Sequence, residues 1–140
     1  MTITGKWILG LSIWLSIVWA GTALAAPPMP ARIGGTVTIE GIQLTEASDS
    51  GDTLSVTRQD GSGYTPKAED SDGLNAHNWY IINVPIHDAK IQPGGAKPGD
   101  KAVIHVYRNG KALKIVSPNR GEFVVGPNGS TNRIDIVVGK

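Results

Sequence analysis

The chain has no cysteine among its 140 residues. Disulfide scaffolds, thiol catalysis, iron–sulfur clusters and haem attachment through cysteine are thereby excluded, and the fold must rest on a hydrophobic core. Aromatic residues are scarce, with four Trp, three Tyr and one Phe. Trp7, Trp14 and Trp19 lie near the start, so Trp79 is the only tryptophan in the rest of the chain. Excess charge of either sign is lacking too. Lys6 aside, the remaining twelve basic residues face twelve acidic ones. A neutral chain without a basic block argues against nucleic acid and anionic membrane surfaces as partners. Helical periodicity is also missing: no segment between Arg32 and Lys140 repeats apolar residues at helical spacing over a useful length.

What is present begins with an unusual N-terminus. Lys6 precedes an apolar run from Trp7 to Ala20 and a small-residue tail with Ala23-Leu24-Ala25. Short positive region, hydrophobic stretch and A-x-A site predict a cleaved secretory signal peptide over 1–25. The alternative is an uncleaved membrane anchor. No cysteine follows the run, so a lipid-anchored form is excluded. The expected product is secreted, periplasmic or at the cell surface, and free of the membrane once the signal is cut. A proline-rich extended lead-in is predicted over 26–34, followed by a single β domain over 35–140.

Short runs of period two, separated by turn residues, predict seven strands near 35–40, 53–58, 79–87, 101–108, 111–117, 122–125 and 133–138. The run at Trp79 is apolar on both sides, as expected of a central strand buried on both faces. Asn109-Gly110 predicts a two-residue type I′ hairpin. Its register sets Arg108 against Lys111, Tyr107 against Ala112, Val106 against Leu113, His105 against Lys114 and Ile104 against Ile115. Ile104, Val106, Leu113 and Ile115 then face the core. The long stretch from Glu46 to Asn78, rich in Asp, Ser and Gly, is read beyond its one strand as a loop. The predicted class is all-β: one seven-stranded β-sandwich, immunoglobulin-like or transthyretin-like.

The residues Tyr80, Ile82, Val84 and Pro85, then Gly99, Asp100, Val103, Asn109 and Gly110, and finally Ile134, Asp135 and Ile136 make a familiar order. It resembles the carboxypeptidase-regulatory-like or transthyretin-like β-sandwich modules of exported bacterial and archaeal proteins. The resemblance spans most of Gly35 to Val138 and rests on turns and core positions. It implies a fold and an exported setting, and no catalytic residue. The long acidic region from Asp49 to Asp72, and a single domain behind a leader, depart from the family's usual repeats.

Motifs for chemistry are thin. Gly94 and Gly99 have the spacing of a phosphate loop, but Asp100 stands where the lysine belongs and a strand follows instead of a helix. That stretch reads as a corner closed by Asp100. Asn128-Gly129-Ser130 has the form of a glycosylation sequon and reads as a turn. Glu69, Asp70 and Asp72 form a candidate calcium set, joined by Asp49 and Asp52. No other cofactor is implied. His77, His87 and His105 lack short ligand spacing, and no G-x-S-x-G elbow is present. Trp79, Tyr80 and Tyr107 are candidate ligand-binding aromatics, set against a core role for Trp79.

The expected function is non-catalytic: an exported module that binds or scaffolds a protein or carbohydrate of the cell envelope. Two alternatives stand beside it. One is a self-assembling surface or fibre subunit that lends its N-terminal segment to a neighbour's sheet. The other is a calcium- or transition-metal-dependent hydrolase using His77, His87 and the acidic region.

Overall fold

The computed structural model describes residues 25–48, 51–70 and 73–139. The leader expected over 1–25 lies outside these residues except for Ala25, as do Asp49 and Asp72. The described chain is all-β. Its strands are β1 (Ala31–Gly35), β2 (Val37–Ile39), β3 (Ile42–Gln43), β4 (Asp52–Arg58), β5 (Gly63–Glu69) and β6 (Tyr80–Val84). They continue with β7 (Lys101–Arg108), β8 (Lys111–Ala112), β9 (Ile115–Ser117), β10 (Glu122–Val124), β11 (Thr131–Arg133) and β12 (Ile136–Val138). The first sheet has the order β11-β1-β6, and the second has β10-β7-β4-β5 with β8 beside β7. A third runs β3-β2-β12-β9.

The two ends of the domain hold each other. β1 pairs parallel with β11, Arg32 opposite Thr131 and Gly34 opposite Arg133, and β2 pairs parallel with β12, Val37 opposite Ile136. Between these ladders the chain passes from the first sheet to the third. The passage is stitched by bonds from the Ile134 amide to the Gly34 carbonyl (2.8 Å) and from the Ile136 amide to the Thr36 carbonyl (2.8 Å). The Thr36 amide is taken instead by the Asp135 carboxylate, Oδ1 at 3.0 Å. Gly35 must be glycine here: a Cβ on it would lie 2.5 Å from the Ile134 carbonyl oxygen. β1 begins four residues before the expected domain start, with Ala31 and Ile33 buried. The preceding prolines are tied down as well, because the Gly129 amide reaches the Met29 and Pro30 carbonyls at 3.3 and 3.2 Å.

Alternation builds the core. Val37 and Ile39, Leu54 and Val56, Ile104 and Val106, Ile136 and Val138 all point inward. Burying each such Ile or Val contributes roughly 1.5–3 kcal/mol before the entropy of ordering is counted. β6 contributes Tyr80, Ile82 and Val84, each 0% exposed, while Ile81 and Asn83 face outward. The expectation of a strand covered on both faces is therefore corrected: Ile81 and Asn83 on that outer face are exposed.

The Asn109-Gly110 turn forms as predicted, with φ of 50° and 81° in the left-handed region that a type I′ turn needs. Arg108 faces Lys111 and Tyr107 faces Ala112. The Leu113 amide still bonds the Val106 carbonyl at 2.9 Å. Beyond that the expected single strand over 111–117 splits. β9 leaves β7 and joins β12, with Ile115 opposite Val138, and Gly121 packs against the Ile104 carbonyl. On the other edge of β7, Ile104 and His105 have Val56 and Ser55 of β4 as partners.

The largest addition is β5, inside the stretch read as a loop. Its inward residues are Tyr64 and Ala68, with Pro66 between them exposed, and the pairing with β4 shifts register between Val56 and Thr57. Arg58 lies 4.6 Å over the Tyr64 ring, and its guanidinium donates to the Gly63 and Gly94 carbonyls.

Candidate functional site

The outer face of the first sheet carries the most developed group of exposed side chains. β-Strand alternation points Arg32 and Gly34 of β1, Ile81 and Asn83 of β6, and Thr131 and Arg133 of β11 to the same side. Trp79 precedes β6 on that face. Gly34 is buried beneath this group, and a Cβ there would meet the Tyr80 carbonyl oxygen at 2.8 Å and approach Ile81 and Trp79. The bare backbone at Gly34 lets Arg133 reach across the sheet, its guanidinium carbon 4.7 Å from the Trp79 ring centre. A cation over an indole face at this separation is attracted by the ring quadrupole.

Both sides of Trp79 are prepared. Arg133 Nε donates to Asp135 Oδ1 and Oδ2 at 3.1 and 3.2 Å. Asp135 in turn accepts from the Thr36 amide, and these two donors hold its carboxyl below the usual carboxylate range. On the chain's approach to β6, Asn75 Oδ1 accepts from the His77 amide (2.9 Å) and the Trp79 amide (3.1 Å). The Asn75 amide also donates to the Trp79 carbonyl at 2.9 Å. This tight turn, with Asn78 at a φ of 61°, leaves an open hollow of about 310 Å³ walled by Asn75, His77 and Trp79. Trp79 is half-buried, so the ring is held by neighbours while part of it meets solvent.

The other candidate aromatics are elsewhere. Tyr80 points opposite to Trp79 into the core, and its hydroxyl donates to the Ile134 carbonyl at 2.7 Å. Burial, followed by the charges of Asp135 and Asp70, pushes its phenol well above the usual tyrosine range. A ligand has no access to it. Tyr107 lies on the second sheet, its ring 6.2 Å from that of His105. The three histidines sit on separate elements. His77 is in the Asn75–Trp79 turn, His87 Nδ1 contacts the Pro93 carbonyl at 3.1 Å, and His105 Nε2 shares a 2.8 Å hydrogen bond with Thr57 Oγ1. Burial lowers the His105 pKa.

Of the calcium set, Glu69 ends β5 exposed, 3.7 Å from Lys67 Nζ, and the Asp70 amide donates to the Leu54 carbonyl at 3.0 Å. Asp52 is committed to a bidentate pair with Arg108, at 2.9 and 3.1 Å. Among the described residues no three His, Cys, Asp or Glu side chains are grouped to hold a metal ion.

A larger, more open cleft of about 440 Å³ lies between the β4–β5 turn and the start of β7, lined by Arg58, Gln59, Asp60, Tyr64, Asp100 and Lys101. Most of its polar groups serve local turns. Asp60 accepts from the Ser62 amide and hydroxyl, and Asp100 accepts from the Lys97 amide at 3.1 Å, closing the glycine corner as predicted. The Tyr64 hydroxyl is buried without a partner. The Trp79 face is therefore the better candidate.

Reading the sequence singled out Trp79 and missed the residues that frame it. Arg133 and Asp135 alternate with Ile134 and Ile136, a pattern that marks them as outward-facing, although Arg133 ends β11 and Asp135 lies between β11 and β12. Arg32 was hidden in a lead-in taken for extended coil. Asn75 carries the signature of an Asx turn. No protein-family model, no curated protein and no solved structure matches this chain.

Proposed function

We propose that the protein is an exported, non-catalytic module that binds or scaffolds a component of the cell envelope through the outer face of β11-β1-β6. The observation that carries this reading is Trp79, the one tryptophan beyond the N-terminal stretch, held at the surface beside an open hollow by Asn75 on one side and Arg133 on the other. A fixed, partly exposed indole suits stacking on a ligand ring. The amide of Asn75 and the imidazole of His77 supply hydrogen-bonding edges around it. That combination favours a carbohydrate over a protein partner.

The same reading takes the three sheets as the layers of a transthyretin-like β-sandwich of the carboxypeptidase-regulatory-like kind. The hairpin at Asn109-Gly110 and the parallel seam between the domain's two ends support it. Self-assembly by strand addition has less support. The segment that would be lent is the domain's own central strand β1, and of the outer strands, β3, β9, β10 and β11 run only two or three residues each, against five in β6 and seven in β5. Short edges are poor templates for another chain.

The test is a glycan array probed with the full-length chain and with Trp79→Ala. Binding to envelope saccharides that is lost in the variant is the expected result. A folded wild-type chain that binds no saccharide, or a Trp79→Ala variant that binds unchanged, contradicts the reading.

A further inference from the structure

We infer that the saccharide taken by this face is acidic, with a carboxylate-bearing sugar seated at Arg32 while another ring stacks at Trp79. The inference rests on the proposed binding role of the Trp79 face and adds the class of ligand. Charge complementarity carries it. Two arginines point out of the first sheet, and among the described residues Asp135 is the only carboxylate paired with either. Arg133 uses Nε alone in that pair. Arg32 donates Nε to the neutral amide oxygen of Asn83 at 3.0 Å, and no carboxylate among the described residues forms a salt bridge with it. Asn83 thereby holds the arginine in place without neutralising it. Its remaining donors form a planar fork that matches a carboxylate.

The layout suits a chain of sugars. Arg32 lies opposite Asn83 and Tyr80 opposite Gly35, so Trp79 stands four residues along the strand from the level of Arg32. At about 3.4 Å per residue the two backbone levels are roughly 14 Å apart, with the edge of the indole leaning back toward Gly34, a span that suits an oligosaccharide more than a single ring. Between the two ends lie Ile81, 37% exposed, and the backbone of Gly34, which the edge of Trp79 approaches and across which Arg133 reaches. Ile81 offers an apolar contact to the C–H face of a sugar ring. Thr131 sits beside Arg32 in register and adds a hydroxyl. Nucleic acid is a poor match, since two arginines supply too few phosphate contacts in an otherwise neutral chain.

The experiment is calorimetric titration of the full-length chain with a soluble polyuronate and with the same polymer after reduction of its carboxyl groups. The expected result is binding of the polyuronate about tenfold or more tighter than its reduced form, weakening as salt rises. Arg32→Gln is expected to remove that preference by weakening the polyuronate far more than the reduced polymer, and Arg32→Lys to restore part of it. Trp79→Ala is expected to weaken both. Arg32 is exposed, so a matching thermal melt checks that its variants fold. Equal wild-type affinity for both polymers, or an Arg32→Gln variant that keeps the full preference, overturns the acidic ligand and leaves the Trp79 reading intact. Failure of the wild-type chain to bind either polymer, with saccharides bound on the array, again removes only the acidic ligand. Failure on the array as well removes both.

Discussion

Replacing Asp135 with alanine should loosen the seam that joins the two ends of the domain. The Thr36 amide sits where β1 hands over to β2 and lacks a carbonyl partner, and the Asp135 carboxylate accepts from it at 3.0 Å. A buried amide left unpaired costs about 1–3 kcal/mol. Thr36 is half-buried, so water recovers part of this and a loss of about 1–2 kcal/mol is expected. For a domain of this size that is a fall in melting temperature of roughly 4–8 °C. Asn at 135 retains a carbonyl oxygen for the amide and loses the charge facing Arg133. Exposed charge pairs contribute little, so Asp135→Asn should cost under about 1 kcal/mol. The order of melting temperatures is then wild type, Asn, Ala. A pH series adds a second axis. The carboxyl is held below its ordinary value by the Thr36 amide and Arg133, so its stabilisation is present above about pH 3.9 and disappears as pH falls through the depressed folded value. The Asn variant should lose that part of the acid dependence. Thermal unfolding followed by circular dichroism measures all three proteins. An alanine variant that melts with the wild type, or an Asn variant that falls as far as alanine, refutes the reasoning.

Gly35→Ala and Gly63→Ala form a matched pair for the same assay. The first forces a methyl against the Ile134 carbonyl and Asp135 Oδ1 and should cost about 3 kcal/mol or more, whereas the second meets nothing within 4 Å and should be neutral or slightly stabilising. Equal effects would contradict the close approach of β1 to the C-terminal segment. Arg108→Ala strips the bidentate partner from Asp52, whose side chain is 1% exposed, and should cost about 1–3 kcal/mol in chemical denaturation; an unchanged midpoint would mean the carboxylate finds water. His105, kept neutral by burial, binds its proton more weakly folded than unfolded. Stability should therefore decline as pH falls below about 6.5, and the decline should end below the lowered folded pKa. His105→Gln should flatten that window, and a variant with the same slope would assign it to another group.

Much of the architecture was legible because it rests on local patterns. Asn-Gly dictates its turn whatever surrounds it, and alternation marked the inward rows of β2, β4, β7 and β12. β5 escaped because Pro66 stands between Tyr64 and Ala68 on the same face, which interrupts the apolar row and argues against a strand. The split between β8 and β9 escaped for a different reason. Residues 111–117 alternate well enough for one strand, and the choice of partner is made by Gly121 and β12, which are distant in sequence. β1 was obscured by the prolines before it and by Gly34 and Gly35, whose smallness serves close backbone approach and carries no strand propensity. The candidate site shows the same limit. Trp79 stood out by rarity, but Arg32, Asn75, Arg133 and Asp135 matter only because pairing of distant strands places them around it.

The most direct measurement of the functional account is the change in saccharide binding on Trp79→Ala, read by titration alongside a thermal melt of the same sample. Because the ring is partly exposed and lies on the outer face of the sheet, the account predicts that binding falls at least tenfold while the fold survives. Unchanged binding by a well-folded Trp79→Ala protein would contradict it.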